Sequence, residues 1–479
     1  MKTFCSSFCR EKKDFLLIFP FFVPILVSLV WRGDSEYLQL NGRSFAFFYR
    51  PYIYFVFGVA LPLLLFLLWQ KNRLRETFPI FDWCIILFSA VAYAAALTGI
   101  AEFLVSFFAL AVIINAIVRY KKNREKPFKR NKLLLIACWL YVLFEAFTLL
   151  WTPTLTASWK YFRLELWIGI VAIVGLLSPL SERIVVRIMY YALWIGLLYT
   201  FTIVVLYVEA CSMMPCSWGA CFTFDKLYFP GSLGALSPHF IVKVFPHNHY
   251  TFLAFLMAIP PIFLGFSSPR KSFPSSRYCL IAASLLSNLL YSFILQSRLG
   301  MILFPVLIVC LGIKLFWPYR SNRVLQIFAL SLGALVGVVG VFFLKSFFLD
   351  GQRLQYVEIA NNLINKTSFW SGQGLGTAHS FLHSVVSEEP IQHFHNQYVQ
   401  CFVEGGILSL LLLLNIIGVY AFSAVRQRKR EAVVAILAFA LLLSVDLFVY
   451  ISEYVMAIGF LYMMIINYEK EEFVLSEKV

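Results

Sequence analysis

The residues of this chain best suited to chemistry fall in four short stretches. The first is His393-Phe394-His395-Asn396-Gln397-Tyr398, followed about two helical turns later by Glu404-Gly405-Gly406. An imidazole, the side chain of His395, is a group that can be neutral near pH 7. It can take a proton from a sugar hydroxyl, or hydrogen-bond that hydroxyl without moving the proton. His395 also stands where a helix would begin, so capping is its plain structural use. Glu404 lies in an otherwise apolar run, where an acid is costly unless an arginine or a loop amide pairs with it. The second stretch, Gln296-Ser297-Arg298-Leu299-Gly300, interrupts two apolar runs. A charge there either snorkels to an interface or faces a polar partner. The third begins at Asp350-Gly351-Gln352-Arg353 and continues in Trp370-Ser371-Gly372-Gln373-Gly374-Leu375-Gly376-Thr377. Arg353 alone reads as a solvated side chain. Paired with Arg298 it becomes a clamp, because guanidinium groups grip phosphate oxygens in a bidentate fork and stay charged. Two of them at a membrane face suit a lipid pyrophosphate. The glycine run lacks the lysine, strand and helix of a nucleotide loop; it is a flexible turn, or a place where backbone closely approaches a ligand. The fourth stretch is Pro246-His247-Asn248-His249-Tyr250.

These stretches must be positioned by apolar elements. Of 479 residues, 61% are hydrophobic and 14% charged, against roughly 25% charged in soluble domains. That leaves too little polar surface to solvate a globule of this size. The sequence predicts an all-α, polytopic integral membrane protein of about 12–14 transmembrane helices with two large external loops. Expected spans are 14–31, 51–69, 80–98, 101–118, 131–151, 166–180, 186–208, 249–266, 278–295, 299–316, 324–344, 398–422, 431–449 and 451–467. The first is read as a retained helix, since no small-residue cleavage site follows it.

With both termini in the cytoplasm, about three-quarters of the basic residues fall on the inner side, as positive-inside topology requires. The formal charge of +15 is therefore spread over short loops, and nucleic-acid binding is not expected. The long loops, 209–248 and 345–397, are then external, and all 7 histidines lie in them or at their edges. Within the second, Leu354, Val357, Ala360 and Leu363 recur every three residues, which predicts a short amphipathic helix on the membrane surface. Cys211, Cys216 and Cys221 share the first loop and allow one disulfide of undetermined pairing. No cysteine–histidine spacing suits zinc, so neither metal nor cofactor is expected. The chain divides into 1–240, N-terminal helices with the first external loop; 241–425, a core with loop 345–397; and 426–479, C-terminal helices with a cytoplasmic tail.

Taken in order, the Ser-Arg-Leu-Gly turn before a helix, the loop arginine, the Trp-x-Gly-x-Gly-Leu-Gly turn, and His-Asn followed by Glu-Gly-Gly resemble the O-antigen ligase and polymerase family of bacterial membrane glycosyltransferases. The resemblance covers about 240–420. It implies an inner-membrane enzyme that moves a glycan from an undecaprenyl-pyrophosphate carrier to an acceptor hydroxyl at the periplasmic face. It also implies inversion at the anomeric carbon without metal. Lipid A-core is the expected acceptor, with another glycan or a protein hydroxyl as alternatives. Arg298 and Arg353 would hold the pyrophosphate and His395 would serve the acceptor hydroxyl. Asn396, Glu404, His247, Trp370, Gly374 and Gly376 would line the substrates. The chain departs from the family in its longer, cysteine-bearing first loop.

Ligation is favoured over polymerisation or protein glycosylation. A transporter or flippase is the reading from another class: Glu102, Glu145, Asp446 and Glu453 lie in or near spans, but the two halves show no internal symmetry. A non-catalytic assembly protein is the third.

Overall fold

The computed structural model describes residues 35–40, 43–48, 131–212, 250–267, 276–316, 358–363, 369–378, 394–445 and 452–470, apart from isolated positions within these stretches. It also describes single helical positions between 82 and 117 and at 382. In chain order the helices are α1 (Lys132–Thr148), α2 (Leu155–Leu177), α3 (Glu182–Ser212), α4 (Tyr250–Phe266), α5 (Ser276–Ile294), α6 (Arg298–Phe316), α7 (Gln397–Arg426), α8 (Arg430–Val445) and α9 (Ser452–Asn467). Each falls on an expected span. Expected spans 14–31, 51–69 and 324–344 lie outside the described residues.

Two details differ from expectation. Helix α2 begins well before 166, because Lys160 and Arg163 depress hydropathy there yet sit on the exposed side of a continuous helix that buries Ser158 and Glu165. To the helical body is added one antiparallel ribbon, β1 (Ser35–Leu40) with β2 (Arg43–Phe48), in register from Ser35 opposite Phe48 to Leu40 opposite Arg43. The intervening Asn41-Gly42 is the dipeptide that two-residue hairpin turns favour. Among the described residues, α7 and the Glu182–Phe201 part of α3 are long and apolar enough to cross a membrane; shorter apolar helices lie within α4, α5, α6 and α9.

Helix α4 is the hub, packing against α3, α5, α6, α8 and α9. It is apolar around its whole circumference, as a fully enclosed helix must be, and Phe252, Leu253, Leu256, Ile259 and Phe263 are all buried. Two prolines interrupt it, Pro260 and Pro261. Each lacks the N–H that would satisfy the carbonyl four residues back, and both orphaned carbonyls are satisfied from outside. The Tyr93 hydroxyl donates to the Leu256 oxygen at 3.2 Å, and Asn288 Nδ2 on α5 donates to the Met257 oxygen at 3.1 Å. At the end of α4, Lys314 of α6 donates to the Gly265 oxygen at 2.5 Å and the Ser267 oxygen at 3.2 Å.

A second group, α1, α2, α7 and α9, packs beside this hub. One of its ends carries the basic connection between α7 and α8. There Gln427 donates to Asn131 (2.9 Å) and Asn131 to Asn467 (3.0 Å). Lys429, only 2% exposed, donates to the Ile466 and Tyr468 oxygens at 2.6 and 2.7 Å and lies over the Tyr468 ring. The opposite end carries the glycine turn and the His-Asn pair.

Candidate active site

At that opposite end two sequence motifs interlock. Helix α7 is broken at Gly406, whose φ of 69° and ψ of −167° belong to a region open essentially only to glycine. Beyond the break, α7 runs antiparallel to α1, with Ser409 against Glu145 at one end and Gln427 against Asn131 at the other. A straight continuation would carry Gln397–Gly405 past the end of α1. Instead this first half folds back, placing Cys401 3.4 Å from the Tyr141 hydroxyl, a turn further into α1 than Glu145.

The break leaves helix-end carbonyls unpaired, and the glycine turn supplies their donors. The N–H of Gln373 donates to the Val403 oxygen at 3.0 Å and that of Gly374 to the Glu404 oxygen at 2.8 Å. In return the Ile407 N–H, at the start of the second half, donates to the Phe369 oxygen at 3.0 Å. A Cβ on Gly406 would lie 2.5 Å from the Trp370 carbonyl carbon and 2.7 Å from the Gly372 nitrogen. Gly374, at φ 94°, rests on Thr152 in the α1–α2 connection, with 2.7 Å between a Cβ there and the Thr152 Cα. The close backbone approach that these glycines permit is thus to the protein itself. Thr152 reinforces the contact by donating to the Leu375 oxygen at 3.0 Å.

Glu404 ties the two motifs together. Its carboxyl accepts from Gln400 Nε2 at 2.6 Å, from the Ala378 N–H at 3.3 Å and from the Gly376 N–H. Of the two kinds of partner that the sequence allowed this acid, the loop amides are present among the described residues.

At the start of α7, Asn396 is the N-cap. Its Oδ1 accepts from the N–H groups of Tyr398 (3.0 Å) and Val399 (3.1 Å), and its Nδ2 donates to the Ser444 oxygen of α8 at 3.1 Å. His395, half-buried, precedes it with a left-handed φ of 50°. A non-glycine residue is held there only when its flanks fix it. On one flank is the Asn396 cap. On the other, Phe394 is buried with Ala360, Leu363, Ala378, Leu382 and Val403 in a small core beneath the loop. Ala360 and Leu363 belong to the predicted amphipathic helix, helical at 358–363 with Glu358, Asn361 and Asn362 exposed. Its apolar face therefore packs on the protein's own loop core, against residues that include Phe394 and Val403. Leu354 and Val357 lie outside the described residues.

Arg298 heads α6. Ser297 is the preceding cap, its hydroxyl accepting from the Gly300 N–H at 3.3 Å and its carbonyl from the Met301 N–H at 3.0 Å. Gly300 lets this first turn sit against Ser292 of α5, where a Cβ would meet the Ser292 Cβ at 2.6 Å. Arg353, His247 and the three loop cysteines lie outside the described residues. Trp370 is 64% exposed and stacks edge-on with Phe369 at 5.6 Å. The described structure thus gathers Trp370, Gly374, Gly376 and Glu404 into one interlock, and puts His395 and Asn396 at the far end of the same short helix.

Residues 281–414 match a family described as O-Antigen ligase. Over that stretch the chain is similar to the O-antigen ligase family. A search of curated proteins finds no match to it. The matched segment holds nearly all of α5, then α6, the glycine turn, His395 and the first part of α7, and falls inside the stretch whose motifs carried the resemblance.

The matched segment does not stand alone. The first half of α7 is held by α1 and α2, which precede it by more than a hundred residues. Three acids meet there. Glu145 accepts from the Ser409 hydroxyl, Glu165 accepts from the Tyr141 hydroxyl, and Glu404 is electrostatically linked to both. Reading the sequence singled out Glu145 only as an in-span charge and passed over Glu165, Tyr141, Gln397, Gln400 and Cys401. One signal was available: Tyr141 with Glu145, Gln397 with Cys401, and Gln400 with Glu404 are each four apart and so share helix faces.

Proposed function

We propose that the protein transfers a glycan from an undecaprenyl-pyrophosphate carrier to a hydroxyl of lipid A-core at the periplasmic face of the bacterial inner membrane, inverting the anomeric carbon. The match across 281–414 carries this reading. The basic α7–α8 connection lies at the end of the bundle opposite His395 and Glu404, which fits cytoplasmic termini and an external site.

In this reading the acceptor oxygen attacks the anomeric carbon as its proton passes to a His395 imidazole nitrogen. The bond from that carbon to the pyrophosphate oxygen breaks. Arg298 and Arg353 neutralise the departing charge, the chief demand of a reaction whose leaving group is already good. Asn396 and Glu404 fix the helix that presents His395. Gly374 and Gly376 set the turn that offers the exposed Trp370 ring to a sugar face, and His247 contributes from the first external loop. No nucleotide is required, because the donor's phosphate ester carries the energy.

The test is complementation in a host that makes lipid-linked glycan but lacks its own ligase. Wild type should restore a ladder of glycan on lipid A-core. Arg298→Ala, Arg353→Ala and His395→Ala, each checked for membrane level, should lose it. Longer chains on the lipid carrier without a ladder would instead mark a polymerase, and glycan on protein would mark an O-oligosaccharyltransferase. Full ligation by the His395→Ala, Arg298→Ala double variant would refute the assignment of the site and reopen transport.

A further inference from the structure

A hydrogen-bonded chain runs from α2 to the first turn of α7. Gln397 Nε2 donates to Cys401 Sγ at 3.3 Å, Cys401 Sγ lies 3.4 Å from the Tyr141 hydroxyl, and that hydroxyl reaches the Glu165 carboxyl. In the middle link either the Cys401 thiol or the Tyr141 hydroxyl can donate. Gln397 immediately follows the Asn396 cap and the left-handed His395. All four members are buried: Glu165 5%, Tyr141 1%, Cys401 4% and Gln397 2% exposed.

The chain ends unusually. Among the described residues, the second oxygen of Glu165, Oε2, is buried and meets no donor. A buried carboxyl with an open acceptor costs stability, and a packing role would be filled better by an apolar side chain. Among the described residues no group of acids, cysteines and histidines is arranged to hold a metal ion. The remaining use is to fix what the chain touches.

Resting on the transfer reaction proposed above, we infer that Glu165 and Tyr141, both outside the family-matched segment, are positioning residues for that reaction. They clamp the first turn of α7 through Cys401 and Gln397 and so aim His395 at the acceptor hydroxyl. A ligand-binding role would raise KM, and a purely structural one would lower stability. Positioning lowers kcat alone, because misalignment costs the transition state and not the bound ground state.

The experiment uses the purified full chain in detergent with an undecaprenyl-pyrophosphate-linked glycan and lipid A-core. Wild type, Glu165→Gln and Tyr141→Phe are compared for kcat, acceptor KM and melting temperature. Glu165→Gln should melt at or above wild type while kcat falls on the order of tenfold or more and KM stays within about twofold. Tyr141→Phe, which removes one hydroxyl, should lower kcat similarly, and the double variant should be little worse than either single one. An unchanged kcat in Tyr141→Phe, or a loss confined to KM, overturns the inference while leaving the transfer reading intact. No transfer by wild type overturns both.

Discussion

Replacing Gly406 by alanine tests whether the two motifs are one structural unit. The new Cβ would stand 2.5 Å from the Trp370 carbonyl carbon and 2.7 Å from the Gly372 nitrogen, both backbone atoms that cannot swing aside. At φ 69° and ψ −167° the alanine would also carry the penalty of a glycine-only region, about 1–3 kcal/mol. Forcing the turn outward adds about 1–3 kcal/mol, the usual cost of overpacking a filled site. Together these predict a destabilisation of about 2–6 kcal/mol. The turn would lift off α7, breaking the Gln373–Val403 and Gly374–Glu404 backbone bonds and withdrawing the Gly376 and Ala378 amides from Glu404. The assay is thermal unfolding of the purified full chain together with glycan transfer. Gly312→Ala and Gly418→Ala are the controls: a Cβ at either meets nothing within 4 Å, so each should be neutral or stabilising by up to about 1 kcal/mol. If Gly406→Ala melts and transfers like these controls, the interlock is not what holds the site.

Removing the α7 cap with Asn396→Ala should cost about 1–2 kcal/mol, read as a fall in melting temperature. Asn396→Asp keeps the Oδ1 acceptor and should recover most of the loss. The proline carbonyls in α4 offer a double-mutant cycle. Asn288→Ala leaves the Met257 oxygen without its donor and should cost about 1–3 kcal/mol. In a Pro261→Ala background the helix can supply an N–H again, so the same substitution should cost clearly less. Equal costs in both backgrounds would show that Asn288 does not serve that carbonyl.

The helices were legible because hydropathy is local: an apolar run long enough to span reads the same whatever it later packs against. Hence α4, α5, α6 and α9 begin and end close to where the sequence put them. The error at α2 has the same origin, since a run-based reading stops at Lys160 and Arg163 and cannot see that a helix continues with those charges turned outward. The motifs were legible too, because Glu-Gly-Gly, the glycine run and His-Asn each depart from their apolar surroundings.

What each motif touches was not legible. The glycine run could have served a ligand or a turn, and Glu404 an arginine or a loop amide; only docking of the turn onto the broken helix chose between them. Glu165 and Tyr141 lie far from His395 in sequence and look like incidental polar residues in apolar helices. Helix packing brought them to it. Chain order determined which segments are helical, because that follows from each residue's own hydrophobicity and backbone freedom. The tertiary structure decided the partners of the buried polar groups, because a donor in an enclosed site is matched to whatever acceptor comes within 3 Å, however distant along the chain.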